Sequence, residues 1–242
     1  MKTIKNLFGA SIVACLLASC ASQPAYYYQI SQAKPVDESI VKSNNDDNGY
    51  YYQDQNCRIS YNFWAEKGAG GFTVTNLTDE VLFILKDKCF FVLNGGSNEY
   101  FHNKDVVETI SGKTTHTPEL KVVGIAPHAS KSFQEYCIYS DVYLNCDLDR
   151  KPAANDPAMI SFSLENSPVR FGNFVTYKVG ENGKEIGVSN MFFIHRITNY
   201  RKTDLFTTEK RESCPNVSDL REYNQTLMRF APTTGYYIEY VK

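Results

Sequence analysis

The chain has 242 residues, with 25 Lys and Arg against 27 Asp and Glu, so its formal net charge is −2. This balance argues against a nucleic-acid-binding protein, which usually carries a basic excess or a basic stripe. Hydrophobic residues make up 43% and aromatic residues 14% of the chain, with 17 Tyr and 15 Phe. A chain so rich in large side chains can bury a core, which excludes wholesale disorder.

The first twenty residues have the pattern of an export signal. Lys2 and Lys5 precede the apolar run Leu7–Leu17, which is far shorter than the roughly 20 residues of a bilayer-spanning helix. The segment Leu17-Ala18-Ser19-Cys20 resembles the lipobox of bacterial lipoproteins. In that class the signal is removed before the cysteine, which is then acylated. The resemblance therefore implies a mature chain that starts at Cys20 and is held in a membrane by acyl chains.

The residues after Cys20 indicate which membrane holds the protein. Lipoproteins kept in the inner membrane often carry Asp at the next position, which here is Ala21. The resemblance therefore implies the outer membrane. Lipoproteins displayed on the surface of Bacteroidetes often carry an acidic cluster after the cysteine, and Ala21–Ala25 has none. This difference favours the periplasmic face.

The mature chain is dominated by the period-two alternation that is typical of β-strands. One face of the segment 57–63 collects four large or apolar side chains: Cys57, Ile59, Tyr61 and Phe63. Val81–Leu85 and Cys89–Leu93 are continuous apolar runs, as in strands that are buried on both faces. The turn residues that follow at Asn94–Asn98 tolerate positive φ. About ten such strands predict an all-β, mostly antiparallel β-sandwich.

One segment is a candidate helix. Val217–Arg229 could form a short helix capped by Ser218 or Asp219, although its pattern does not decide between helix and strand. We expect at most this one helix. The expected organisation is a signal peptide over 1–19, a lipidated N terminus and tether over 20–52, and a single β-sandwich domain over 53–242.

The two ends of the mature chain have strand-like composition. Tyr26–Ile30 begins six residues after Cys20, and a strand this short has no stability of its own. Tyr236–Val241 is the final strand and is expected at a sheet edge, which proteins tend to cover. Tyr26–Ile30 therefore either docks beside Tyr236–Val241 or belongs to a mobile tether over Ala21–Asn48. Docking is the sharper prediction, because it places the anchor and the C terminus at the same end of the sandwich.

Several segments resemble a family of Bacteroidetes envelope lipoproteins that has no established activity. The resemblance is carried by five stretches of the mature chain: Tyr26–Tyr28, Cys57–Trp64, Phe90–Gly95, Cys146–Leu148 and Phe192–Tyr200. These stretches are structural rather than catalytic. The resemblance implies a β-rich fold and a place in the cell envelope, and it implies no chemistry.

The densest group of carboxylates contains Asp147 and Asp149, with Asp141 nearby. Paired acids can hydrolyse glycosidic bonds, although Arg150 and Lys151 would neutralise this pair. The sequence contains no HExxH zinc motif and no G-x-S-x-G esterase elbow. His195 alternates with its neighbours in a strand, so we interpret it as a packed or surface imidazole. We expect neither a metal nor a cofactor.

Five cysteines remain in the mature chain after Cys20: Cys57, Cys89, Cys137, Cys146 and Cys214. The lack of a C-x-x-C spacing argues against a zinc ribbon or a thioredoxin-like redox site. An exported protein can form disulfides, and the connectivity of these five is open. If two bonds form, Cys89 is the best candidate for a buried free thiol, because it lies in an apolar run.

Two functions are compatible with these observations. The first is a non-enzymatic lipoprotein that binds or scaffolds an envelope protein or glycan, using tyrosine-rich segments such as Tyr26–Tyr28 and Tyr50–Tyr52 as an amphipathic contact surface. The second is an envelope glycan or peptidoglycan hydrolase that uses Asp147 and Asp149. A cleft that holds two carboxylates would favour the second, and an exposed aromatic patch would favour the first.

Overall fold

The structure is a computed structural model that describes residues 26–43, 49–111, 113–149, 157–212 and 222–241. Cys20 and Cys214 lie outside these residues. The strands are β1 (Tyr26–Pro35), β2 (Val41–Lys42), β3 (Tyr50–Gln53), β4 (Cys57–Tyr61), β5 (Phe72–Asn76), β6 (Leu82–Leu85), β7 (Phe90–Leu93), β8 (Gly96–Glu99), β9 (Asp105–Ile110), β10 (Lys113–Pro118), β11 (Val122–Ile125), β12 (Ser130–Phe133), β13 (Ala158–Ser161), β14 (Arg170–Val179), β15 (Ile186–Arg201), β16 (Phe206–Glu212), β17 (Glu222–Met228) and β18 (Gly235–Val241). Two helical turns are α1 (Cys146–Asp149) and α2 (Lys202–Leu205), and a 3₁₀ turn spans Lys86–Lys88.

Most strands belong to two sheets. The main sheet has nine strands, with the order β11-β6-β14-β15-β1-β18, and β13, β7 and β8 pair beside this path. The second sheet has five strands in the order β12-β5-β4-β3-β2. The remaining strands form the separate hairpins β9–β10 and β16–β17. The strands of both sheets pair antiparallel, which confirms the predicted all-β class.

The core lies between the two sheets, and aromatic side chains join them. The ring of Phe63, just after β4, lies 4.9 Å from that of Phe192 and 5.0 Å from that of Phe171. Tyr61 contacts Phe192 at 5.1 Å and accepts a hydrogen bond of 2.7 Å from the Nδ2 group of Asn190. All four residues predicted on one face of 57–63 are buried. The alternation therefore identified the inner face of the second sheet.

The segment next to the predicted lipid site is part of the main sheet. Tyr26 lies opposite Val241 and Gln32 opposite Gly235, so β1 pairs along its length with β18. The predicted docking of Tyr26–Ile30 is confirmed. The assignment of 20–52 to a tether is corrected for the described residues, because β1 extends to Pro35, and β2 and β3 belong to the second sheet. The physical reason is that β1 has a partner on each side: β18 and β15.

The outer edge of β18 is covered by a loop. The backbone N–H of Lys67 donates to the carbonyl of Tyr237 at 2.8 Å, and the N–H of Tyr237 donates to the carbonyl of Ala65 at 3.2 Å. These bonds satisfy backbone groups that an end strand would otherwise expose. Gly68 follows with a φ of 78°, in the left-handed region that favours glycine. A Cβ there would also collide with Tyr236 and Ile138.

The candidate helix over Val217–Arg229 is a strand where the structure describes it. Glu222–Met228 forms β17, which pairs with β16 in a register that places Phe206 opposite Met228. The rest of that segment lies outside the described residues. An antiparallel partner supplies the backbone hydrogen bonds that a helix would otherwise make within itself. Tertiary pairing therefore decided the conformation.

The described residues form eighteen strands, more than the ten or so that the sequence predicts. The additional strands include those of the β9–β10 hairpin, whose described side chains are largely exposed and therefore show no buried face. The turn at Asn94 and Gly95 follows the prediction, with φ values of 48° and 85° joining β7 to β8. Both residues have the positive φ that a two-residue hairpin turn requires. No helix among the described residues is long and apolar enough to cross a membrane.

Candidate functional site

A groove opens between the end strands of the two sheets. β11 ends the path of the main sheet and β12 ends the second sheet, and the β9–β10 hairpin forms a third wall. The groove has a volume of about 670 Å³. Its apolar walls include Val123 and Phe133, and its polar groups include Lys86, Glu119 and Glu135. A concave site with a few convergent polar groups is the usual form of a ligand site.

Lys86 is the centre of the polar group. Its Nζ atom lies 2.5 Å from Oε1 of Glu119 and 3.5 Å from Oε1 of Glu135. The side chains of Lys86 and Glu119 are 11% and 10% exposed, and that of Glu135 is 32% exposed. The Lys86 backbone N–H donates to the carbonyl of Lys121 at 2.7 Å, which ties the 3₁₀ turn to the chain before β11. One ammonium therefore joins two carboxylates from distant parts of the chain.

His102 closes this network on a second side. Its Nε2 atom lies 2.9 Å from Oε2 of Glu135, and its backbone N–H donates to Oε2 of Glu119 at 2.8 Å. The ring of Tyr136 contacts that of His102 and stacks on Phe91, with centroids 5.0 Å apart in the stacked pair. The ring of Tyr136 thus joins this polar network to the core.

The carboxyl group of Glu119 is held ionised. Burial alone would raise its pKa, but the hydrogen bonds from Lys86 and from the His102 backbone, with the charge of Lys86, lower the pKa below its ordinary value. An acid with a lowered pKa is a poor proton donor at neutral pH. Glu119 is therefore suited to accept hydrogen bonds from a ligand and not to act as a general acid.

The remaining surface of the groove combines neutral polar groups with exposed apolar side chains. Ser132, Gln134 and Thr117 offer hydroxyl and amide groups, and Leu120 and Val106 present exposed aliphatic surface. Ionised carboxylates retain several lone pairs beyond those used by Lys86 and His102. This combination fits a ligand that has both hydroxyl donors and apolar C–H faces.

The residues that the sequence singles out lie elsewhere. Asp147 and Asp149 are in α1, and their side chains lie outside what the structure describes. The structure gives no account of Cys20. Among the described residues, no group of three His, Cys, Asp or Glu side chains converges in a way that could hold a metal ion.

The network around Lys86 was missed by sequence reasoning. Lys86, His102, Glu119 and Glu135 are far apart in the chain and share no spacing motif. The available signal was a charged residue at the end of an apolar run, as Lys86 follows Val81–Leu85. Such charges are common at strand ends, so this signal does not single out a site.

The described cysteines divide into two chemical classes. Cys57 and Cys89 are buried, which confirms the prediction for Cys89, whereas Cys137 and Cys146 are exposed, and all four thiols are free in the structure. Burial raises the pKa of Cys57 to about 12 and that of Cys89 to about 11. Since the thiolate is the reactive form, neither buried thiol is an activated nucleophile.

We expect iodoacetamide to alkylate Cys137 and Cys146 much faster than Cys57 and Cys89 in the folded, reduced protein at pH 8. Mass spectrometry of peptides after timed labelling measures these rates, and labelling in denaturant provides the control in which all four rates converge. Labelling of Cys57 at the rate of Cys137 would contradict the described core.

His195 is expected to make the protein less stable in weak acid. Burial, together with the charges of Lys34 and Arg196, lowers the pKa of His195 to about 4. The pKa of an unfolded histidine is about 6.5, so between these values the unfolded chain binds a proton that the folded chain does not. The free energy of unfolding therefore falls as the pH falls from about 6.5 towards 4.

Urea denaturation at pH 7 and pH 5 measures this effect. The loss of stability between the two pH values should be smaller in His195→Gln than in the wild type. His116→Gln, at an exposed position in β10, is the control for the loss of a histidine as such. If the loss of stability between pH 7 and pH 5 were the same in His195→Gln and the wild type, the described environment of His195 would be contradicted.

Comparison of this chain with protein-family models, with curated proteins and with solved structures gave no match.

Proposed function

We propose that this chain is a lipid-anchored binding module of the bacterial cell envelope, anchored through Cys20 on the periplasmic face of the outer membrane. The groove around Lys86 holds a hydroxyl-rich envelope ligand, of which a glycan is the best match. The observation that carries the binding role is a nearly buried ammonium that joins two carboxylates within a groove of about 670 Å³. Buried charges cost free energy, and functional sites are where such charges concentrate.

The anchor rests on the lipobox and on how soon the domain begins. Five residues separate Cys20 from β1, so an acylated Cys20 would hold the folded domain directly at the membrane. An alkyne fatty acid should label the wild type and Cys15→Ser, but not Cys20→Ser. Equal labelling of all three proteins would refute the anchor.

The groove holds two carboxylates, the arrangement that would favour a hydrolase, but their ion pairs with Lys86 support binding instead. A hydrolase needs one carboxyl group that is protonated near neutral pH, and the pKa of Glu119 is lowered instead. Lys86 also holds both groove carboxylates in ion pairs. The alternative hydrolase with Asp147 and Asp149 gains no support from the described side chains.

Photo-cross-linking in living cells tests the binding role. A photoreactive amino acid at Gln134, on the groove, should give an adduct that glycan-degrading enzymes shorten. Lys184, exposed in the turn between β14 and β15, is the control position. The adduct at Gln134 should weaken strongly in Glu135→Gln. An adduct no stronger than that at Lys184 would overturn the binding role of the groove.

A further inference from the structure

The end of the main sheet at which β1 begins carries exposed apolar side chains. Leu144 is 85% exposed and Val241 is 54% exposed, and both line a small cavity of about 160 Å³. Val241 lies opposite Tyr26, the first residue of β1. These side chains therefore lie at the end of the domain where the chain arrives from Cys20.

The exposure of Leu144 is imposed by buried hydrogen bonds. Gln29 is buried in β1, and its side chain accepts from the N–H of Tyr143 at 2.7 Å and donates to the carbonyl of Tyr143 at 3.1 Å. The Nδ2 group of buried Asn199 donates to the carbonyl of Leu148 at 3.0 Å. These hydrogen bonds fix the backbone on both sides of Leu144. The exposed leucine therefore belongs to a segment that is held in place.

The length of the connecting chain limits what can cover this end. Six residue steps join Cys20 to Tyr26, and at roughly 3.3–3.6 Å per step they span at most about 20 Å. An acylated Cys20 lies at the membrane surface, so the Tyr26 end of the sheet must lie within that distance of the lipid. The cavity of about 160 Å³ is too small for a whole acyl chain, so the lipid on Cys20 would not fill it.

The side chains around Leu144 suit the boundary between headgroups and acyl chains. Tyr240 lines the same cavity and stacks on Tyr27, with ring centroids 5.7 Å apart. Tyrosine is enriched at this boundary, because its ring is apolar and its hydroxyl is polar. Arg201 lies opposite Tyr27 at the same end, but both oxygens of Asp204 hold its guanidinium at 2.9 and 3.0 Å, so it presents no unpaired cation to the lipid.

We propose that this membrane-facing end, formed by Tyr143–Asn145 and Tyr240–Val241, rests on the bilayer with Leu144 inserted at the headgroup boundary. This inference rests on the proposed acylation of Cys20. It gives the anchored domain a fixed orientation, with β1 and β18 rising from the membrane and the opposite end of the sheet facing away.

Tryptophan fluorescence in vesicles tests the orientation. Full-length Leu144→Trp and Leu120→Trp proteins are purified as acylated by the cell and reconstituted into phosphatidylcholine vesicles with or without brominated acyl chains. Leu120 is the matched control, because it is a 65% exposed leucine beside β11, at the other edge of the main sheet. The signal of wild-type protein, which contains Trp64, is subtracted from both.

We expect bromine to lower the emission of Leu144→Trp roughly twofold or more, because insertion by about 5–10 Å brings the ring close to the acyl chains. The emission of Leu120→Trp should not change. Equal emission with and without bromine for acylated Leu144→Trp would overturn the orientation while leaving the anchor intact. A blue-shifted but unquenched emission would show that a second copy or another protein covers this end, which also overturns it. Mass spectrometry that finds no acyl group on Cys20 would overturn the proposed anchor, and the orientation with it.

Discussion

Replacing Ile30 with aspartate is expected to leave the domain largely unfolded at neutral pH. Ile30 is buried in β1, where it lies opposite Thr198 of β15 and Tyr237 of β18. It packs with Tyr28 and Leu205 on the face of the main sheet that points away from the second sheet. A carboxylate at this position would be buried without a partner, at a cost of several kcal/mol. A typical domain is stable by only about 5–15 kcal/mol.

Circular dichroism and urea denaturation measure this loss. Val36→Asp is the matched control, because Val36 is exposed just beyond the end of β1, and it should remain folded with nearly unchanged stability. If Ile30→Asp cannot be purified, Ile30→Ala is expected to lower the free energy of unfolding by about 2–4 kcal/mol. A free energy of unfolding within about 0.5 kcal/mol of the wild type, as for a surface substitution, would show that β1 is not an interior strand.

Replacing Lys86 with methionine is expected to lower the free energy of unfolding by about 2–3 kcal/mol. Breaking a fully buried ion pair costs about 3–5 kcal/mol, and the partial exposure of Glu135 reduces that cost. Glu119, which is nearly buried, would lose its closest cation. Lys88→Met is the control, because Lys88 pairs with Glu185 at 2.7 Å in a half-exposed bridge, and such surface ion pairs contribute little to stability.

The effect of Lys86→Met should depend on pH. The pKa of Glu119 is lower in the folded protein than in the unfolded chain, where it is about 4.3. The ionised carboxylate therefore contributes its full stabilisation above about pH 4.3, and this stabilisation is lost as the pH falls through the folded pKa. Urea denaturation at pH 7 and pH 3 should therefore show a smaller difference between wild type and Lys86→Met at pH 3. A difference that stays constant across this range would mean that Lys86 acts through packing and not through its charge.

The parts of the fold that follow local rules could be predicted. Alternation alone identified the buried face of 57–63, and turn chemistry identified Asn94 and Gly95. The pairing of Tyr26–Ile30 with Tyr236–Val241 followed from the instability of a lone strand beside an open edge. In each case the local sequence contains the physical cause.

The rest depended on contacts between distant residues. Nothing in Tyr26–Pro35 indicates that β15 is its second neighbour, so the place of this strand inside the sheet does not follow from the sequence. Glu222–Met228 is a strand because β16 supplies its hydrogen bonds, whereas its composition left helix open. The groove is assembled from Lys86, Glu119 and Glu135, which meet only when the two sheets pack. Such contacts between distant residues cannot be read from a single sequence.

Amide hydrogen exchange of β1 tests most directly whether the segment beside the proposed lipid site is an interior strand of the domain. Because β1 lies between β15 and β18, the amides of Tyr27–Ser31 should exchange as slowly as those of Phe192–Thr198 in β15. The exposed turn at Asp37–Ser39 provides the fast reference. Exchange of Tyr27–Ser31 at the rate of Asp37–Ser39 would show that this segment is a mobile tether. The domain would then not be held close to the proposed anchor at Cys20.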